Sequence, residues 1–217
     1  MRGEEKVVLF PLFVDLQGKK CLVVGGGNVA VRKIETLLSF GAEIFVVSPE
    51  VTEGIEELAR CRKLSVAQRS YCPSDLEGVS LAIAATNVNQ VNRQVYMEAK
   101  ERNIPVNVVD KPEMCTFVFP SIVKRQELVI GISTSGGFPA LSKRIRQMLE
   151  KVIPENLGEL LGFLKGIRNR LKDEVESPAE RKLLLERLLD EVFTCKGIKE
   201  KEPLQQRIDQ AIRKYKK

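Results

Sequence analysis

Residues 21–33 read Cys-Leu-Val-Val-Gly-Gly-Gly-Asn-Val-Ala-Val-Arg-Lys. An apolar run ends in three glycines and passes directly into residues with helical periodicity. A strand, a tight turn and a helix are written this way where the turn cradles a phosphate. Gly25, Gly27 and Ala30 fill the G-x-G-x-x-G/A spacing. Gly25 permits the turn, Gly27 has no Cβ to hold off a pyrophosphate, and Ala30 lets the helix lie close to the strand. The unpaired N–H groups at the helix start face the anion. The spacing alone occurs in many unrelated chains, so its surroundings decide.

Working outward, apolar runs alternate with helical patterns through the first half. Strands are expected over 7–14, 20–25, 43–48, 64–69, 80–85 and 105–109, most of them continuously apolar, as strands covered on both faces are. Helices are expected over 28–40, 52–62 and 88–102. In the first of these Val31, Ile34, Leu37 and Leu38 recur at helical spacing and Gly41 marks the stop. Such alternation means βαβ units and an α/β fold with a Rossmann-type, doubly wound parallel sheet. After Asp110 the pattern changes. The runs 116–123 and 127–132 suggest a hairpin through Lys124-Arg125-Gln126, and the polar loop 133–139 leads into a helix over 139–152 that Pro139 can open. The remainder, 155–217, reads as three helices, with Leu183, Leu184, Leu188 and Val192 forming a core-facing stripe on the middle one. The expected divisions are 1–113, 114–153 and an all-α domain over 154–217.

Composition narrows the chemistry. The chain has 217 residues, 29% charged and 43% hydrophobic, which fits a globular protein rather than a disordered one. No apolar run is long enough to span a bilayer, and the N-terminus lacks the pattern of a signal peptide, so no membrane association is expected. Five widely spaced cysteines without a C-x-x-C argue against a disulfide framework or a cysteine zinc site, and for a reducing cytoplasm. There is no histidine, which removes the commonest metal ligand and general base. No resident metal is expected, and proton transfer falls to Asp, Glu, Lys, Tyr or Cys. The net charge of +6 is concentrated after residue 110. No acid lies between Glu127 and Glu150, while Lys143, Arg144 and Arg146 do. An anionic partner fits that half, although for 155–217 a solvated helical surface explains the charge as well.

Three strand ends carry candidate site residues. The second strand of a dinucleotide fold normally ends in an acid that binds the adenosine ribose. Here the tip reads Ser48-Pro49-Glu50, with Glu50 in reach of a ribose and no adjacent cation to receive a 2′-phosphate, which favours NAD over NADP. The competing role for Ser48-Pro49 is a cap on the following helix. Thr86 and Asn87 end the fourth strand, where they either touch the ribose or nicotinamide or cap the next helix. Asp110 ends the fifth strand on the ligand side, as a general base beside a nicotinamide or, in the bland reading, as a turn former before Lys111-Pro112.

Several motifs in order resemble one family. They are Phe10-Pro11-Leu12-Phe13-Val14-Asp15-Leu16, Val23–Lys33, Ala82-Ile83-Ala84-Ala85-Thr86-Asn87, Asn107-Val108-Val109-Asp110, Phe119-Pro120-Ser121 and Ile132-Ser133-Thr134-Ser135-Gly136-Gly137. Together they are similar to the precorrin-2 dehydrogenase / sirohydrochlorin ferrochelatase family, the N-terminal module of siroheme synthases, closely over 6–153 and loosely beyond. The resemblance implies NAD-dependent oxidation of precorrin-2 to sirohydrochlorin, in some members followed by ferrous iron insertion. It implies a homodimer interlocking through 114–153, a functional aspartate at Asp110, and NAD contacts at Asn28, Val29, Pro49 and Glu50. In some members a serine of the glycine loop is phosphorylated, and the loop here reads Ser133-Thr134-Ser135-Gly136-Gly137. No methyltransferase domain is expected after residue 217, so methylation of the precursor would be done elsewhere.

Precorrin-2 carries carboxylate arms, for which Lys124, Arg125, Ser135, Lys143 and Arg144 are the expected binding residues. Two alternatives stand beside this reading: a chelatase without dehydrogenase activity, and a nucleotide-sensing regulatory module. Nucleic-acid binding is not expected, because 6% aromatics with no Trp leave few stacking platforms and no helix-turn-helix is evident.

Overall fold

A computed structural model describes residues 8–194, with side chains to residue 190. Cys195 and the third of the expected C-terminal helices lie outside the described residues. Five strands form one parallel sheet: β1 Lys20–Val24, β2 Glu43–Val47, β3 Leu64–Ala67, β4 Leu81–Ala84 and β5 Val106–Val108. Helices α1 Asn28–Leu38, α2 Glu53–Arg60 and α3 Asn89–Glu101 connect them, and the strand order is β3-β2-β1-β4-β5. The order reverses between β1 and β4. That is the switch point of a doubly wound sheet, where a crevice opens at the carboxyl ends of the strands.

Strand alternation divides the core in two. On one face Cys21, Val23, Ile44, Val46, Leu81 and Ile83 pack with Ala30, Ile34 and Leu37 of α1 and Ile55 of α2. On the other, Leu22, Val24, Val47, Ala82, Ala84, Val106 and Val108 pack with Val95 and Ala99 of α3 and with Leu76. Each fully buried Val, Leu or Ile contributes about 1.5–3 kcal/mol of transfer free energy, so both faces hold β1 and β4 rigidly behind the glycine turn.

The expected strand over 7–14 is a correction: residues 8–14 form no strand, and Val8, Phe10, Leu12, Phe13 and Val14 are exposed. Pro11 has no N–H to give a ladder. The outer edge of β5 is already occupied, since Thr116 donates its N–H to the Val106 carbonyl (2.8 Å) and accepts the Val106 N–H on Oγ1 (2.8 Å).

That pairing carries the first compact unit on to Phe119, so that it spans Phe10–Phe119. Among the described residues, the second unit gathers Val8 and Leu9 with residues 120–194. Within it, β6 Ser121–Arg125 and β7 Leu128–Ile132 form an antiparallel hairpin, with Gln126 at φ 53° in the turn. Helix α4 Pro139–Val152 packs on this hairpin and starts at Pro139, as its sequence implies. Helices α5 Leu157–Glu174 and α6 Pro178–Thr194 share a small core of Leu160, Ile167, Leu171, Leu184 and Leu188. Leu184 and Leu188 of the expected stripe sit in this core, whereas Leu183 is 44% exposed, and the side chain of Val192 lies outside the described residues.

Candidate active site

The three glycines after β1 are there for three different reasons. Gly25 adopts φ +124°, and a Cβ on it would lie 2.3 Å from the Ala85 carbonyl oxygen at the end of β4. Gly26 is forced by the neighbouring loop: its Cβ would stand 2.0 Å from the Glu50 carbonyl oxygen. Gly27 has an ordinary extended backbone (φ −88°), and nothing lies within 4 Å of where its Cβ would be. The turn is thus closed on the protein side and open at Gly27. Helix α1 begins there without a side-chain cap and without an acid in its first turn. Its first N–H groups have no intrahelical acceptors, and the helix dipole adds positive potential. A dinucleotide pyrophosphate fits this opening. Asn28 and Val29 are exposed beside it, while Ala30 is fully buried against the sheet.

The second loop is stitched to the first through backbone atoms. The Gly25 N–H bonds the Val47 carbonyl (3.0 Å), and the Thr52 N–H bonds the Gly26 carbonyl (2.9 Å). Ser48 is buried and donates its hydroxyl to the Glu50 carbonyl at 2.6 Å, shaping the turn that leaves Pro49 and Glu50 exposed. Ser48 is therefore not the cap of the next helix; Thr52 occupies that position. The Thr52 hydroxyl is itself buried, without a hydrogen-bond partner among the described residues. Nothing in the local sequence marks it, because an N-terminal Thr normally spends its hydroxyl on the helix.

At the end of β4 the hydroxyl of Thr86 is absorbed internally. It contacts the Asn92 Oδ1 (2.8 Å) and accepts the Val88 N–H (3.1 Å), while Asn92 donates to the Thr86 carbonyl (2.8 Å). Val88, rather than Thr86 or Asn87, takes the cap position of α3. Asn92 is buried, one polar position on an otherwise apolar helix face, and it locks this strand end. Asn87 stays exposed.

Asp110 follows β5 at the same carboxyl edge. It is exposed and sits in the left-handed region at φ 58°, a conformation Asp tolerates better than most residues and one that recurs at functional sites. The Cys115 thiol organises the turn around it. Its Sγ accepts the Val108 N–H (3.3 Å), lies 3.3 Å from both the Val108 and Lys111 carbonyls, and accepts from the Asn107 amide (3.4 Å). Burial pushes this thiol above its ordinary pKa, keeping it a protonated donor. No pattern in the sequence marks Cys115.

In the second unit, Lys124, Lys143 and Arg144 are exposed. Arg125 turns inward instead: its guanidinium donates to the Lys124 carbonyl (3.1 Å) and the Glu150 carbonyl (3.3 Å), near the end of α4. Ser135, at φ 50° in an exposed loop, accepts the Leu9 N–H (3.2 Å). Among the described residues no cluster of three His, Cys, Asp or Glu side chains could hold a metal, and no helix is long and apolar enough to cross a membrane.

A glycine cradle at the switch point of a β3-β2-β1-β4-β5 parallel sheet defines a Rossmann-type dinucleotide-binding domain. A family model described as "Putative NAD(P)-binding" matches residues 12–121, and the chain belongs to that family. It is also homologous to siroheme synthases over most of its length. The siroheme synthase of Pseudomonas entomophila is 46% identical over 162 residues, covering 75% of this chain and 35% of the relative. That of Ectopseudomonas mendocina is 41% identical over 176 residues, 81% of this chain and 38% of the relative. The Nitrosococcus oceani protein is 37% identical over 179 residues, 82% and 38% respectively. The chain thus spans less than two fifths of the length of these relatives. Among solved structures, "SirC, precorrin-2 dehydrogenase" superposes with a TM-score of 0.76 at 28% identity, over 95% of this chain and 100% of that one.

Proposed function

We propose that this chain oxidises precorrin-2 to sirohydrochlorin with NAD in siroheme synthesis. One observation carries the reading. A dinucleotide cradle and Asp110 stand at the carboxyl edge of one sheet, in a chain that matches a precorrin-2 dehydrogenase structure over 95% of its length. When bound, the nicotinamide supplies the acceptor for a hydride. Oxidation removes one hydride and one proton from the substrate, and Asp110 takes the proton, the exposed carboxylate becoming a carboxylic acid. Gly25, Gly27 and Ala30 shape the pyrophosphate site, Asn28 and Val29 flank it, and Pro49 and Glu50 meet the adenosine ribose. Thr86 and Asn92 fix the strand end from which Asn87 reaches the nicotinamide side.

Lys124, Lys143, Arg144 and Ser135 are the proposed contacts for the substrate carboxylates, and Arg125 braces the hairpin that carries Lys124. Ferrous iron is a second substrate in this reading, inserted into sirohydrochlorin after oxidation. Exposed Leu141, Met148 and Val152 on α4 support a homodimer, and the cysteine usage supports the cytoplasm. Anaerobic incubation with precorrin-2, with and without NAD, tests the reading. NADH is expected, and folded protein that makes none refutes it. Asp110→Ala is expected to lower kcat by about 10²–10⁴-fold, the span of general acid–base catalysis, with the Kd for NAD unchanged. Loss of siroheme formation when ferrous ion is added to sirohydrochlorin would confine the chain to oxidation.

A further inference from the structure

Asp110 is presented by a turn from Val108 to Lys111, closed by the Lys111 N–H on the Val108 carbonyl at 3.3 Å. Its φ of 58° is rare for L-residues, and such conformations persist where the surroundings over-determine them. In the middle of the turn the Val109 N–H donates to the Ala84 carbonyl at 3.0 Å, which ties it to the end of β4. The two ends of the turn meet a sulfur atom. Pro112 opens a short helical turn over Pro112–Met114 that reverses the chain, and the Thr116 N–H on the Val106 carbonyl (2.8 Å) fixes the returning segment along β5. Cys115 is thereby packed against the core face that holds Val106 and Val108. Its Sγ accepts the Val108 N–H at 3.3 Å and the Asn107 amide at 3.4 Å. The thiol lies 3.3 Å from the Val108 and Lys111 carbonyls and can donate to either. Asn107 also donates to the Phe117 carbonyl at 3.0 Å, so the segment carrying Cys115 is held on both sides of the sulfur.

We propose that Cys115 is a positioning residue for the oxidation: its thiol clamps both ends of the Val108–Lys111 turn and so fixes where the Asp110 carboxylate stands at the edge of the sheet. The inference rests on Asp110 being the proton acceptor in the reading above. The sulfur does not touch the carboxylate and takes no part in the proton transfer. It acts through the main chain on either side of Asp110. The choice of atom matters, because all four contacts fall at 3.3–3.4 Å. A serine hydroxyl, on a shorter bond to Cβ, would leave these partners beyond the roughly 2.7–3.2 Å of an N–H···O bond. Serine can therefore serve only in part, and alanine removes the clamp. Released, the turn relaxes to a commoner φ at Asp110 and carries the carboxylate from its place.

Amide hydrogen exchange tests the clamp without substrate or cofactor. In Cys115→Ala the Val108 and Lys111 amides should exchange about 10-fold faster or more, while the amides of β1 keep their protection. Unchanged exchange at both positions overturns the clamp, and equal acceleration in β1 overturns its local character. Kinetics test the consequence. Cys115→Ala should lower kcat about 10- to 100-fold, the scale of a misplaced catalytic group. KM for precorrin-2 and the Kd for NAD should stay within about twofold of wild type, because substrate and cofactor binding do not depend on the turn. Cys115→Ser should fall between wild type and Cys115→Ala in both exchange and kcat, and it carries the same comparisons alone where Cys115→Ala does not fold. Wild-type kcat in Cys115→Ala overturns the positioning role, as does a loss of kcat in Cys115→Ser with wild-type exchange at Val108 and Lys111. If the exchange responds as expected while wild-type protein makes no NADH, the clamp stands and the dehydrogenase reading is refuted.

Discussion

Two alanine substitutions two residues apart should fail in opposite ways. At Gly25 a Cβ would meet the Ala85 carbonyl oxygen at 2.3 Å, its carbon at 2.6 Å and the Thr86 nitrogen at 3.1 Å, with the backbone at φ +124°. All three obstacles are backbone atoms of the neighbouring strand end, so relief requires parting β1 from β4. Strain at a backbone angle foreign to L-residues costs about 1–3 kcal/mol, and overpacking adds about 1–3 kcal/mol. Gly25→Ala should therefore lose about 2–6 kcal/mol, a large share of the roughly 5–15 kcal/mol of a typical domain. Gly27→Ala meets nothing within 4 Å and has an extended backbone. Its stability should change by about 1 kcal/mol or less, the scale of a helix cap change. The methyl group would instead intrude on the pyrophosphate. At about 1–3 kcal/mol of misfit, the Kd for NAD should rise roughly 5- to 150-fold. Urea denaturation of the unliganded proteins and fluorescence titration with NADH measure the two effects separately. Equal destabilisation by both substitutions, or wild-type affinity in Gly27→Ala, would refute the division of labour.

Two further outcomes concern regions away from the cradle. Asp75 is buried, paired with Arg69 at 2.5 Å and bonded to the Cys72 N–H at 2.9 Å. The hydrogen bond from Arg69 holds its pKa below the ordinary carboxylate value. With the folded pKa depressed, its stabilisation is complete above the ordinary value and lost as the pH falls through the folded one. Asp75→Asn should therefore flatten the acid side of a stability-versus-pH curve; an unchanged slope contradicts the pairing. The cysteines should separate on brief alkylation of native protein followed by peptide mapping. Cys61 is exposed, whereas Cys21 is fully buried with its thiol pushed up to about 11. Modification is expected at Cys61 and not at Cys21, and rapid reaction at Cys21 would mean that the β1 core opens locally.

Where burial on two faces governs the pattern, the sequence is easily read. Continuous apolar runs identify β1, β2 and β4, and the glycine spacing locates the turn: Gly25 and Ala30 answer steric demands of the fold, while Gly27 leaves the opening clear. Helix α4 begins where Pro139 permits it. The strand expected over 7–14 failed because hydrophobicity alone says nothing about a free sheet edge, and Thr116 had taken the one beside β5. The site was legible where a residue's type dictates its role, and opaque where a role depends on long-range placement. Thr52, Asn92 and Cys115 look ordinary in sequence; their significance comes from the Gly26 carbonyl, a strand end and a turn supplied by other segments. Arg125 illustrates the converse. Its charge suggests an anion contact, yet the hairpin turn directs its guanidinium to two carbonyls.

The bond from the Thr52 N–H to the Gly26 carbonyl, and the tight approach of Gly26 to the Glu50 backbone, use main-chain atoms alone. Such a seam is indifferent to which side chains the loop at Pro49 and Glu50 displays. On the proposed reading, the part that would grip the phosphates and the part that would inspect the ribose are therefore separable under mutation. A lineage can redraw its choice between the two nicotinamide dinucleotides at the rim, one exposed residue at a time, while the pocket beneath keeps its shape.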